Sequence, residues 1–293
     1  MKLRKMRIGN WEFPVADETK ILKRGLVEQG ELLIKKWEKA FPEENTWTRQ
    51  NLGVPSLIVR IDCVEQDGKL RIFEVEERPS GIGIASLLNW EFKERLTEVS
   101  GSWPDFKICL SKQRNGGGDH YLWREVIDIS QAERSNDLLL LKSEPWEEEF
   151  WKLENRSVSS LKKKGDKSYG VKMGLWREAR AGEELDWSRP FVLKPIQGSK
   201  CRDVVIWYPK RKAFKGIATK TKITATLERH SRMYSQPFIF PIKERDKWLM
   251  YRVFWGYDID AKRWICLSGV YLISPSIKIH GTPETIIGAL ILE

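Results

Sequence analysis

Two strand-length runs, residues 56 to 64 and 69 to 77, stand on either side of "QDG" and constrain the fold more than any other feature of the chain. Each alternates apolar and polar positions, and a short glycine-bearing connection between such runs specifies an antiparallel hairpin. Its acids set it apart: Asp62, Glu74 and Glu76 occupy positions where Val or Thr is expected, close to Arg60. Successive strand side chains point to opposite faces, so the face each acid takes depends on the parity of the loop. A three-residue loop, Gln66-Asp67-Gly68, pairs Glu65 with Lys69. It sets Asp62 opposite Ile72, Arg60 opposite Glu74 and Ile58 opposite Glu76, and gathers the acids on one face. A two-residue Asp67-Gly68 turn sends Asp62 to the other face.

Carboxylates crowded on one face raise the cost of ionising one another unless a cation intervenes. Magnesium is a hard ion that takes oxygen ligands and keeps positions open for phosphate oxygens, and it removes the conflict. A solvated face with ordinary Arg–Glu cross-strand pairs, each contributing about 0.2 to 1 kcal/mol, fits these residues equally well.

Further along, Ile21, Leu22, Leu26, Leu33, Ile34 and Trp37 recur at helical spacing over residues 18–41, and Pro42 ends the pattern. "PSGIGIASLLNWEFKERLTEV" follows the hairpin as a small-residue turn and helix. Short strands are expected at 105–110, 121–128 and 137–142, a helix from 145 and another over 222–235. "WLMYRVFWGYD" and "RWICLSGVYLIS" read as strands flanking "IDAK". A change of texture near 143 suggests two lobes, 1–143 with the hairpin and 144–293, joined as one compact unit.

Apolar residues make up 41% and charged residues 31%, a globular mix, and the apolar runs fall far short of the roughly 20 residues that span a bilayer. Cys63, Cys109, Cys201 and Cys266 are scattered without a C-x-x-C pair, and the N-terminal segment lacks the pattern of a secretory signal. The expectation is a soluble cytoplasmic protein without a membrane partner. A net charge of +10 favours an anionic partner, and with 14 tryptophans a single-strand stacking groove is one possibility. Trp90, Trp151, Trp176 and Trp255, in apolar contexts, are expected to pack the core instead.

The spacing R-x-D, then twelve residues from the Asp to a Glu and a further ligand two residues on, resembles the magnesium hairpin of the glutathionylspermidine synthase group of ATP-grasp ligases. Arg60, Asp62, Glu74 and Glu76 fill those positions, Glu76 standing where the group has Asn. The order of segments is similar too, since that group is circularly permuted and carries its metal hairpin before its nucleotide lysines. "GDKSYGVKMGLW" looks like the segment holding the first nucleotide lysine, here Lys167. "FVLKPIQGSKC" looks like the strand and phosphate loop holding the second, Lys194, although the loop's second glycine and its acid are absent. "MYSQPFIFP" is similar to the adenine-binding hinge and offers Gln236 with the backbone around Phe238 and Ile239.

The resemblance implies an α+β, ATP-grasp-like fold, with antiparallel sheets and flanking helices forming two lobes around a nucleotide cleft. It implies an ATP-dependent carboxylate-amine ligase that uses ATP and Mg2+, the acid and amine being small molecules or peptides. In that reading Asp62, Glu74 and Glu76 hold the metal, Arg60 stabilises the transferred phosphoryl group, and Lys167, Lys194, Gln236, Phe238 and Ile239 bind the nucleotide. The alternatives are a basic nucleic-acid-binding protein, which explains the lysines but not the acids, and an ATP-grasp-like scaffold that binds nucleotide without turnover.

Overall fold

The computed structural model describes residues 2–8, 11–40, 47–76, 79–105, 107–109, 126–127, 139–141, 168–196, 203–210, 217–244, 246–277 and 284–293. The architecture is α+β and is dominated by two largely antiparallel sheets. The larger has nine strands. Its main path runs β1 (Leu3–Ile8), β2 (Trp11–Ala16), β16 (Ile286–Leu292), β15 (Arg263–Ser274), β14 (Lys247–Asp258), β4 (Ile58–Gln66) and β5 (Lys69–Glu76). β3 (Lys20–Leu22) joins β16 and β13 (Ile242–Glu244) joins β14; only β16 pairs in parallel, with β2 and β3. The second sheet has the order β11 (Val205–Trp207), β10 (Phe191–Pro195), β12 (Arg232–Pro237), β9 (Arg177–Arg180). β6 (Lys107–Cys109), β7 (Val126–Ile127) and β8 (Leu139–Leu141) form a small parallel sheet.

β14 and β15 read as nearly unbroken apolar runs because both faces of their sheet are covered. On one face lies α1 (Arg24–Lys39), which closes down until Gly30 meets the Trp255 ring; a Cβ there would sit 2.7 Å from it. On the other lie α3 (Ile82–Leu88) and α4 (Trp90–Ser100), where Phe92 packs edge-on against Phe254 with ring centroids 5.1 Å apart. Buried Asn89 accepts from the Phe92 N–H at 3.2 Å to cap α4, and its amide nitrogen reaches Ser268 Oγ and the carbonyls of Gly269 and Leu290. A short helix, α2 (Trp47–Leu52), precedes β4. In the second sheet, α5 (Ser168–Lys172) precedes β9, and α6 (Lys220–His230) covers one face with Ile223 and Leu227. Tyr169, Met173, Trp176 and Tyr234 belong to the same apolar cluster as Trp37 and Trp255, so one core joins the two sheets.

Several expectations change. The helix expected over 18–41 begins at Arg24, because residues 20–22 are taken by pairing with β16. That expected over 222–235 ends at His230, where Ser231 turns to φ 59°, and β12 follows. The division at 143 does not follow the sheets, since β13 to β16 return to the sheet of the hairpin and the second sheet is an excursion between β5 and β13. The helix expected from 145 lies outside the described residues. Trp176 and Trp255 are buried as expected, but Trp90 is 70% exposed, and Trp151 lies outside the described residues.

Candidate active site at the junction of the two sheets

The acids of the hairpin converge, but by a different route from the three-residue loop. The turn is the two-residue Asp67-Gly68, both at positive φ (54° and 70°), which pairs Gln66 with Lys69 and Cys63 with Ile72. Continued unbroken, that register would put Asp62 on the wrong face. A bulge intervenes: Phe73 is an extra residue on β5, and beyond it Asp62 faces Glu74 and Arg60 faces Glu76.

β4 lies between β14 and β5, so the cluster also receives Arg252, which stands opposite Asp62 on β14. Arg60 is 1% exposed and Asp62 4%. Arg60 Nε donates to Asp62 Oδ1 at 2.7 Å and Nη2 to Oδ2 at 3.1 Å, a bidentate charged pair. Nη2 also lies 3.0 Å from Glu76 Oε2, and Nη1 donates to the Ser80 carbonyl at 2.8 Å, which ties the turn before α3 to the cluster. Arg252 Nε is 3.6 Å from Asp62 Oδ1, too far for a hydrogen bond. Burial works against the charge of Arg60, but Asp62, Glu76 and Glu74 outweigh it and raise its pKa. For Arg252 burial, aided by Arg60, wins over those same carboxylates and the pKa falls.

The second sheet meets the hairpin at its bulge. β5 is an edge strand, and an open edge leaves backbone groups unpaired. Lys194 Nζ donates to the Phe73 carbonyl at 2.6 Å and Gln236 Nε2 to the Ile72 carbonyl at 2.8 Å. The Val75 N–H donates to Tyr169 Oη at 2.7 Å. Lys194 and Gln236 share one face of their sheet, because the pairs Lys194–Tyr234 and Val192–Gln236 are two residues apart. The Lys194 ammonium lies 4.6 Å from the centroid of the Trp176 ring. Phe238 and Ile239 lie on the connection from β12 to β13. The Phe238 N–H donates to the Pro190 carbonyl at 3.1 Å, while Ile239 packs against the core under α3 and α4. Lys167 and the Gly198 loop lie outside the described residues.

The structure thus brings Arg60, Asp62, Glu74, Glu76, Lys194 and Gln236 to the two sides of one strand. Phe238 and Ile239 lie on the connection that leads from the second sheet back to the first. Arg252 and Tyr169 escaped the sequence reading. The signal for Arg252 was present, an arginine inside the apolar strand "WLMYRVFWGYD"; Tyr169 sits in a quoted segment without being singled out.

Whether the acids suit a divalent ion turns on their oxygens. Among the described residues no three His, Cys, Asp or Glu side chains are already arranged around a common metal position. Both Asp62 oxygens accept from Arg60, whereas buried Glu76 Oε2 has only the ion-pair contact with Arg60 at 3.0 Å and no hydrogen bond. The three carboxylates face the guanidiniums of Arg60 and Arg252, with the Lys194 ammonium at the Phe73 carbonyl close by. Oxygen donors, including a buried Glu76 oxygen held by an ion pair with Arg60 and no hydrogen bond, fit a magnesium ion.

Among the described residues, the close lysine–tryptophan pairs are contacts within the chain. Besides Lys194 on Trp176, Lys220 Nζ lies 5.0 Å and 5.7 Å from the ring centroids of Trp187 and Trp207. His230 pairs with Asp203 at 3.0 Å, which with Arg229 holds the Asp203 carboxyl below its ordinary range. Cys63 and Cys266 are buried free thiols. Among the described residues no helix is long and apolar enough to cross a membrane.

No family model matches this chain, and no curated protein matches it. Among solved structures it is similar to a provisionally named gamma-glutamylcysteine synthetase from Methylobacillus flagellatus KT, at 12% identity and a TM-score of 0.46, over 87% of this chain and 85% of that one. A likeness at this level carries no chemistry across.

Proposed function

We propose that this protein is an ATP-dependent carboxylate-amine ligase that works at the junction of the two sheets. The observation that carries the reading is convergence. Lys194 and Gln236, which lie 121 and 164 residues from their partners in sequence, both land on the bulge of the hairpin that presents Asp62, Glu74 and Glu76. In the reaction a carboxylate oxygen displaces ADP from the γ-phosphorus. The amine then attacks the acyl carbon, phosphate leaves with the acyl–oxygen bond, and the amine loses a proton as the amide forms. Such chemistry depends on positioning and on neutralising phosphoryl charge, and no protein nucleophile is needed.

Lys194, with Lys167, would neutralise phosphate oxygens, Lys194 turning its ammonium from the Phe73 carbonyl. Gln236, Phe238 and Ile239 would line the adenine side of the connection between sheets. Glu74 and Glu76 would hold Mg2+, with Asp62 joining them where Arg60 turns from it toward phosphoryl oxygens; the ion supplies charge neutralisation between phosphates. The bidentate Arg60–Asp62 pair also favours a second reading, a scaffold that binds nucleotide without turnover, because it engages two predicted functional groups with each other. ADP release from MgATP, screened over mixtures of carboxylic acids and amines, separates the two. Amide formation with stoichiometric ADP supports the ligase. MgATP binding without ADP release under any mixture supports the scaffold, and absence of MgATP binding removes both.

A further inference from the structure

Arg252 is half-buried in the cluster and makes no hydrogen bond there among the described residues. Its Nε is buried without a partner, and Asp62 Oδ1, at 3.6 Å, already accepts from Arg60. Leaving that N–H unmet away from water costs free energy, while the rest of the guanidinium fork lies toward the partly open side of the cluster. Its strand neighbours Met250 and Phe254 on the same face are buried apolar side chains, so a charged group stands where the strand otherwise places core residues. The site is reachable at this end, where the Arg252 side chain is 16% and that of Glu76 21% exposed.

We infer that Arg252 is an oxyanion-binding residue of the site, its planar fork receiving the carboxylate or phosphoryl group that reacts. This deepens the ligase reading and rests on it for the identity of the oxyanion. Arginine suits the task because its fork matches two oxygens at once.

The test is calorimetric titration of the full chain and of Arg252→Gln and Arg252→Lys with inorganic phosphate, acetate and MgATP, the two simple oxyanions with and without Mg2+. The wild type is expected to bind phosphate or acetate more tightly with Mg2+. Arg252→Gln should weaken that binding about tenfold or more, the scale of one charge-assisted hydrogen bond. Arg252→Lys, which keeps the charge but not the fork, should fall between and serves if the Gln variant does not fold. An effect confined to acetate assigns the substrate carboxylate; one confined to phosphate and MgATP assigns the phosphoryl group. Unchanged dissociation constants in both variants, beside normal MgATP binding, overturn the role of Arg252 and leave the ligase reading intact. Arg252-dependent phosphate binding in a protein that does not bind MgATP keeps the oxyanion site and overturns the ligase. A wild type that binds neither oxyanion overturns the inference.

Discussion

Asp62→Asn should cost far more stability than Glu74→Gln, although both remove one carboxylate from the same cluster. The Asp62 side chain is 5% exposed and accepts two hydrogen bonds from an arginine that is itself 1% exposed. Removing one partner of a buried ion pair costs about 3–5 kcal/mol, because the other charge stays buried and uncompensated. Asn keeps the shape and one acceptor, and Arg60 retains the Ser80 carbonyl and Glu76, so the lower end, about 3 kcal/mol, is expected. Glu74 is only partly buried, and its loss should stay within about 1 kcal/mol. The resemblance implies that both acids are metal ligands, whose substitution would leave folding almost untouched; the bidentate pair with buried Arg60 gives Asp62 a structural task as well. Urea unfolding followed by tryptophan fluorescence measures the difference, as a lower midpoint at unchanged slope for Asp62→Asn. Equal losses in the two variants, or a loss below about 0.5 kcal/mol for Asp62→Asn, would refute the buried pair as a structural element.

Lys194→Ala should weaken MgATP binding by about 1.5–3 kcal/mol, the range of a charge-assisted hydrogen bond, and an unaltered dissociation constant rejects its nucleotide role. Gly269→Ala should destabilise by about 3 kcal/mol or more, because the new Cβ would overlap the Arg252 carbonyl oxygen in the paired strand; wild-type melting behaviour would contradict that packing. Glu38, which accepts from Trp264 Nε1 at 2.7 Å, has its carboxyl pushed above the ordinary value near 4.5 by burial. The folded state therefore binds this proton more tightly than the unfolded chain. Its stabilising contribution is full below pH 4.5 and is lost as pH rises through the folded pKa, so Glu38→Gln should compare more favourably with wild type at pH 7 than at pH 4 in urea midpoints. The opposite order would show the sign to be wrong.

Much of the site was legible because strand periodicity and turn residues are local. The acids, the hairpin and the strands around "IDAK" follow from alternation and from Gly68. The face the acids share was not, because it depends on one extra residue, Phe73, and a bulge follows from how β5 meets its neighbours. The return of β13 to β16 to the first sheet was equally hidden, since pairing between β14 and β4 is set by tertiary packing far along the chain. Arg252 went unnoticed for the same reason: an arginine within an apolar strand gains meaning only once that strand is placed beside Asp62. Lys194 and Gln236 were singled out as nucleotide contacts, and their bonds to the carbonyls of Phe73 and Ile72 add a task no local pattern encodes, closing the exposed edge of β5.

The central claim is that ligand binds where the second sheet meets the acidic hairpin, and calorimetry with MgATP on wild type and Glu76→Gln addresses it most directly. The account predicts saturable, Mg2+-dependent binding to the wild type and a marked loss of the Mg2+ dependence in the variant, which gives up a carboxylate oxygen held only by the ion pair with Arg60. Wild-type protein that takes up no nucleotide, or a variant whose binding responds to Mg2+ just as the wild type does, would contradict it.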